Sequence, residues 1–177
     1  MKAQPYSLRM MLGQYPKISR FVGGDVLQSY LSGADYHRWH APVDGVVEYV
    51  ERVPGLMFSE LYDPQAVDRS AGTLSQGYQA NVNTRGIVVI RSTAPDIGRV
   101  CVVPVGITEV SSVGIGVEVG RTVTRGDEIG RFSYGGSSMC LVFEPGKVDF
   151  TVPPGDKDVV TDSGAPILVN GLIALAG

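Results

Sequence analysis

Histidine, cysteine and tryptophan are scarce in this chain of 177 residues, at two, two and one. The two histidines, His37 and His40, lie three apart, and no Glu or Cys stands close enough in sequence to complete a coordination shell, so no metal is expected. Cys101 and Cys140 sit inside the apolar runs VCVVPV and SMCLVF, where buried free thiols are the expected state. A chain of this length needs no disulfide framework to fold. Charge is also sparse: 19% of residues are Asp, Glu, Lys or Arg, against about 25% in an average globular domain. Fifteen basic and 18 acidic residues leave a net charge of -3, and no run of like charge reaches five. A phosphate-binding surface for nucleic acid is thereby excluded. Long hydrophobic runs are missing as well. The longest, PILVNGLIALAG, has 12 residues and is interrupted by Asn170, while the start MKAQPYSLRMML lacks the apolar segment of a signal peptide. The expectation is a soluble cytoplasmic protein without a transmembrane segment.

What the chain does have is glycine, 23 residues, and 11 prolines, set among Val-rich and Ile-rich runs. That punctuation belongs to an all-β fold with tight corners. Helix is expected only near the start: YSLRMMLG, with Ser7 as N-cap and Gly13 as stop, and residues 25–32, where Val26, Leu27, Tyr30 and Leu31 fall at helical spacing. From residue 43 onward, strands are expected in VVEYVERV, GIVVIRST, RVCVVPV, TEVSSVGIGVEV, EIGRFS, MCLVFE, KVDFTV and APILV. Residues 60–83 are polar and aperiodic and read as a long loop. The length fits one domain. Residues 41–50 and 119–132 each set an apolar strand beside an acidic-Gly turn. This resembles the barrel-sandwich hybrid of biotinyl and lipoyl carriers, permease phosphocarriers and certain decarboxylases. The fold class expected is therefore mainly β, antiparallel and barrel-sandwich-hybrid-like, with one or two short N-terminal helices.

Two segments could carry chemistry. In YHRWHAPVDG, His37 and His40 share one side of a helical turn but opposite faces of a strand, so they suit separate tasks as general acid or base. In FSYGGSSMCLVFE, Gly135 and Gly136 permit a strained turn that presents the Gly136 carbonyl to the hydroxyl of Ser137. That hydroxyl needs a base to become nucleophilic, and a neighbouring His is the usual one. Taken alone, GGSS reads more readily as an ordinary hairpin turn.

YHRWHAPVDG, then Asn83, Thr84 and Arg85 before GIVVI, then PVGITEVSSV, then GRTVTRGDEIGRFSYGGSSMCLVFE occur in the order found in the phosphatidylserine decarboxylase family, which this chain resembles from Tyr6 to Glu144. The GGSS ending, the TEVSS segment and the Trp of HRWH look more like its soluble branch acting on aromatic amino acids, such as fungal tryptophan decarboxylases, than like lipid-acting members with LGST.

The resemblance implies a self-processing zymogen. Ser137 attacks the Gly136 carbonyl, and the chain splits between Gly136 and Ser137. Residue 137 becomes a pyruvoyl cofactor that forms a Schiff base with the substrate amine, without pyridoxal phosphate or metal. It assigns His40 as the base in cleavage and His37 to the decarboxylation step. Asn83 and Arg85 match the family's NxR block in a structural or substrate-adjacent role. The substrate implied is an L-amino acid, with phosphatidylserine as the alternative, and a homodimer would cover exposed strand edges. The family's upstream motif, whose Asp orients the cleavage His, would precede residues 4–13, so the expected unit is residues 1–177 as one catalytic domain lacking an upstream segment. The competing class is a non-catalytic binding or carrier module, although Lys2, Lys17, Lys147 and Lys157 all lie outside a modifiable hairpin.

Overall fold

The runs GIVVI and VCVVPV are continuously apolar rather than alternating, as expected of strands covered on both faces. That is where they lie. The structure, a computed structural model, describes residues 6–31, 35–57, 75–107, 112–133, 137–151 and 168–177. Its centre is a six-stranded antiparallel sheet in the order β1-β9-β5-β4-β3-β7. The strands are β1 Val26–Leu31, β3 Gly45–Val53, β4 Arg85–Ser92, β5 Arg99–Gly106, β7 Thr122–Val123 and β9 Ser137–Phe143. A three-stranded sheet joins β2 Arg38–His40, β8 Glu128–Phe132 and β6 Val113–Ile115 in the order β2-β8-β6. A ribbon pairs β10 Val148–Phe150 with β11 Ala174–Ala176. With β1 and β7 at its edges, the large sheet does not close into a barrel.

Strand alternation divides the core in two. Val88, Ile90, Val100 and Val102 face a cluster that includes Trp39, Ile129 and Phe132 of the small sheet. Ile87, Val89, Cys101, Val103, Cys140 and Val142 face the other way, against Leu12, Tyr15 and Phe21 of the N-terminal segment and Ala80. Within the small sheet, packing over β8 is close at one point. A Cβ on Gly130 would lie 2.2 Å from the Trp39 ring and 2.6 Å from the Gly114 carbonyl oxygen. Gly130→Ala is therefore expected to lose about 1–3 kcal/mol by overpacking. In a thermal melt each kcal/mol lowers the midpoint by about 2–4 °C; an unchanged midpoint would show that the Trp39 ring can move aside without cost.

The first expected helix is present as α1, Leu8–Met11, with the Ser7 hydroxyl accepting from the Met10 N–H at 3.1 Å. A single 3₁₀ turn follows at Ile18–Phe21. The second expected helix is corrected: residues 26–31 form β1, an edge strand paired antiparallel with β9 from Val26↔Val142 to Leu31↔Ser137. The expected loop at 60–83 ends in a helix, α2, Gln76–Val82; residues 58–74 lie outside the described residues. TEVSSVGIGVEV is strand only at Val113–Ile115, with residues 108–111 outside the described residues. KVDFTV does not share a sheet with MCLVFE, since β10 pairs with β11. In APILV, residues 165–167 lie outside the described residues, and the last strand falls later, at β11.

Candidate active site

Ser137 opens β9, paired with Leu31 of β1 on one side and Gly106 of β5 on the other. It is fully buried, and its Oγ has no hydrogen-bond partner among the described residues. Alternation turns it toward the layer into which Met139 and Leu141 pack, the layer that holds Trp39 and Phe132. Gly135 and Gly136 lie outside the described residues.

Ser138 points the opposite way and is fully engaged. Its Oγ accepts from Gln28 Nε2 at 3.0 Å and has Gln76 Oε1 at 2.9 Å and the Ser29 carbonyl at 3.0 Å as acceptors. Gln28 Nε2 also reaches the Gln76 carbonyl at 3.1 Å. Strand β1, helix α2 and the start of β9 are thus tied together by buried amides and a hydroxyl.

The NxR block supports the same end of the sheet from beneath. Asn83 Nδ2 donates to the carbonyl of Gly106, the residue opposite Ser137, at 2.8 Å. Arg85 is buried rather than a surface charge. Its guanidinium donates to the carbonyls of Met11 at 2.8 Å, Asn83 at 2.9 Å and Met10, fastening the last turn of α1. Burial pulls its pKa down, and Glu51 partly offsets this. Arg85→Met strands three carbonyls and is expected to cost about 3 kcal/mol, the upper end for charged hydrogen bonds. Urea titration reads this as a lower midpoint at an unchanged slope.

The two histidines occupy different ends of the β2/β8 pair. The His37 carbonyl accepts from Phe132 N–H at 2.9 Å, and its ring meets Phe132 edge-on at 6.4 Å. Ser137 follows Phe132 by five residues, a span of at most about 18 Å. His37 Nδ1 donates to the Asp35 carbonyl at 2.5 Å, while Nε2 is buried with no partner among the described residues. His40 pairs with Glu128 at the other end of β8. Both of its ring nitrogens are occupied: Nδ1 by the Gly126 carbonyl at 2.7 Å and Nε2 by the Tyr36 hydroxyl at 3.0 Å. His37 thus sits beside Phe132, five residues before Ser137 in the chain, and His40 is about 10 Å further along the strand.

Neither cysteine competes for a chemical role. Cys101 and Cys140 are free and fully buried, and burial raises both thiol pKa values, that of Cys140 to about 12. No group of three potential metal ligands occurs among the described residues. A cavity of about 220 Å³ lies between the β10/β11 ribbon and the 92–97 turn, lined by Asp44, Arg125, Phe143 and Leu175 among others; Ser137, His37 and His40 are not among its lining residues.

A family model described as phosphatidylserine decarboxylase matches residues 1–163. The chain belongs to the phosphatidylserine decarboxylase family. It is similar to decarboxylase iboD of Amanita muscaria, 40% identical over 98% of this chain and 51% of that protein. It is similar to the L-tryptophan decarboxylase of Psilocybe cubensis, 35% identical over 79% of this chain and 34% of that protein. It is also similar to phosphatidylserine decarboxylase proenzyme 3 of Schizosaccharomyces pombe, 31% identical over 94% of this chain and 16% of that protein. The chain thus spans about half or less of the length of these relatives. No described helix is long and apolar enough to cross a membrane.

Sequence reasoning named Ser137, His37 and His40 as candidates but not the roles of Ser138, Gln28, Gln76, Tyr36 and Gly126 in the contacts around them. Two signals were available: the polar pair Gln28 and Ser29 inside the otherwise apolar VLQSYL, and the turn TRGD, with glycine where a positive φ is needed.

Proposed function

We propose that this protein is a self-processing, pyruvoyl-dependent decarboxylase that releases CO2 from an L-amino acid, with an aromatic, tryptophan-like side chain favoured. The observation that carries the reading is the Ser137 hydroxyl, buried at the start of β9 and engaged by nothing among the described residues. A buried hydroxyl without a partner costs stability, and such groups concentrate where chemistry needs them free. The same observation is the test of fit for the prosthetic group. Converting Ser137 to a pyruvoyl removes a hydroxyl that holds nothing together, while Ser138 keeps the strand end in place.

The chain's own steps balance. Ser137 Oγ attacks the Gly136 carbonyl and its proton passes to His40 Nε2; the acyl group moves from nitrogen to oxygen. Elimination then frees the Gly136 carboxylate, and one water releases the nitrogen of residue 137 as ammonia. A pyruvoyl group so placed supplies a ketone that takes the substrate amine and accepts the electron pair left when CO2 departs. His37, with Nε2 in the buried layer that Ser137 also faces, returns a proton to the substrate carbon. Trp39, Phe132 and Met139 keep that layer apolar.

The relatives named as tryptophan decarboxylases favour an amino-acid substrate, and those named as phosphatidylserine decarboxylase proenzymes keep the lipid as the second reading. Intact mass under denaturing conditions tests the proposal. Two fragments, residues 1–136 and 137–177, with a carbonyl-reactive N-terminus on the second, are expected. A single species at 18.9 kDa after prolonged incubation would overturn the reading for this chain.

A further inference from the structure

The segment Thr124–Asp127 is a tight turn whose geometry reaches His40. Asp127 N–H donates to the Thr124 carbonyl, and Thr124 N–H donates to Asp127 Oδ2, both at 2.9 Å. Arg125 N–H donates to Asp44 Oδ1 at 2.6 Å. The turn is also laced to the residue after His40. Gly126 N–H donates to the Ala41 carbonyl at 2.9 Å, and Ala41 N–H to the Asp127 carbonyl at 2.8 Å. Gly126 has φ 93°, a conformation that favours glycine. In that conformation its carbonyl lies 2.7 Å from His40 Nδ1.

A main-chain carbonyl only accepts, so Nδ1 must carry a hydrogen whatever the charge of the ring. In the neutral ring Nε2 then holds the lone pair, and the Tyr36 hydroxyl, 3.0 Å away, must donate into it. The Tyr36 ring lies nearly parallel to the imidazole, 11° off with centroids 5.7 Å apart, yet the residue is 47% exposed. The Gly126 contact is built into a turn with five main-chain anchors. The Tyr36 contact depends on a half-exposed side chain.

We infer that Gly126 and Tyr36 are positioning groups for His40: the Gly126 carbonyl fixes the tautomer that leaves Nε2 as the base, and the Tyr36 hydroxyl caps Nε2 as a latch. The latch, though not the orientation, rests on the reading that His40 takes the proton of Ser137. With Tyr36 in place the base is oriented but occupied, and self-cleavage waits on the tyrosine moving off.

The test uses the full chain labelled with ¹⁵N at histidine. Two histidines give two ring systems, and a His37→Gln variant assigns them. Spectra are taken on the alkaline plateau, where the ring ¹⁵N shifts no longer change with pH. His40 is expected in the Nδ1–H form, opposite to the preference of free imidazole side chains, with Nε2 shifted by an accepted hydrogen bond. In Tyr36→Phe, which keeps the stacked ring, Nδ1–H stays and Nε2 moves to the position of an unbonded lone pair. Self-cleavage of that variant, followed by intact mass, is expected to run about 2–10-fold faster, the worth of one neutral hydrogen bond.

An Nε2–H tautomer for His40 in the parent chain, or an Nε2 resonance unmoved in Tyr36→Phe, overturns the orientation. Slower cleavage in Tyr36→Phe overturns the latch. Absence of cleavage from both proteins with the expected spectra sinks the function reading and the latch with it, and leaves the orientation standing.

Discussion

Ser137→Ala is expected to leave the chain in one piece and more stable than the uncleaved parent. The hydroxyl is fully buried and bonded to nothing among the described residues. Leaving such a group unsatisfied costs about 1–3 kcal/mol. Alanine removes that cost and opens only a small space, so a gain of about 1 kcal/mol is expected, or about 2–4 °C in the thermal midpoint. The neighbouring serine gives the opposite sign. Ser138 Oγ holds Gln28 Nε2 and faces Gln76 Oε1 and the Ser29 carbonyl, so Ser138→Ala in the uncleavable background strands buried amides and loses about 1–3 kcal/mol. Intact mass and thermal unfolding measure both effects. A cut that persisted in Ser137→Ala would end the assignment of residue 137 as the nucleophile. A loss of stability there would mean that its hydroxyl is held by a partner after all.

The same polar cluster explains what sequence reading could and could not reach. The central strands were legible because burial on both faces made them continuous apolar runs, as in β4 and β5. Strand β1 was read as helix because Gln28 and Ser29 replace the apolar residue that strand alternation would require, leaving Val26, Leu27, Tyr30 and Leu31 at helical spacing. Both are only half-buried, and their polar groups are used: Gln28 Nε2 donates to Ser138, and the Ser29 carbonyl accepts from it. Helix α2 was hidden for the same reason. Its buried residues are Gln76, Gln79, Ala80 and Asn81 rather than an apolar stripe. Both departures border Ser137, where local rules are expected to yield to the needs of a site. Ser137, His37 and His40 stood out as candidates because the chain has only two histidines and one paired-glycine turn before a serine pair. Their supports use common residues and a main-chain carbonyl, and these acquire meaning only once the strands are paired.

The two histidines should fail in different ways. His40→Ala is expected to slow self-cleavage by about 10²–10⁴-fold, the usual worth of a positioned general base. His37→Ala is expected to leave cleavage intact and reduce CO2 release from an amino-acid substrate by a similar factor. The geometry makes this a demanding prediction, because among the described residues His37 Nε2 has no partner and His37 sits beside Phe132, five residues before Ser137, whereas both nitrogens of His40 are engaged. An unpartnered nitrogen is not an oriented one. His37 is held through Nδ1 by the carbonyl of Asp35, two residues away on the same segment, while His40 is held by a turn from across the small sheet. If the assignment is right, Ser137 must come within reach of His40 Nε2, and the Tyr36 hydrogen bond there must break, at about 0.5–1.5 kcal/mol. That is small beside a 10²-fold effect, which corresponds to about 2.7 kcal/mol. The check is a time course of fragment formation for both variants, followed by CO2 release from whichever chains are cut. If His37→Ala stops the cut and His40→Ala does not, the roles are exchanged, and proximity rather than orientation selects the base.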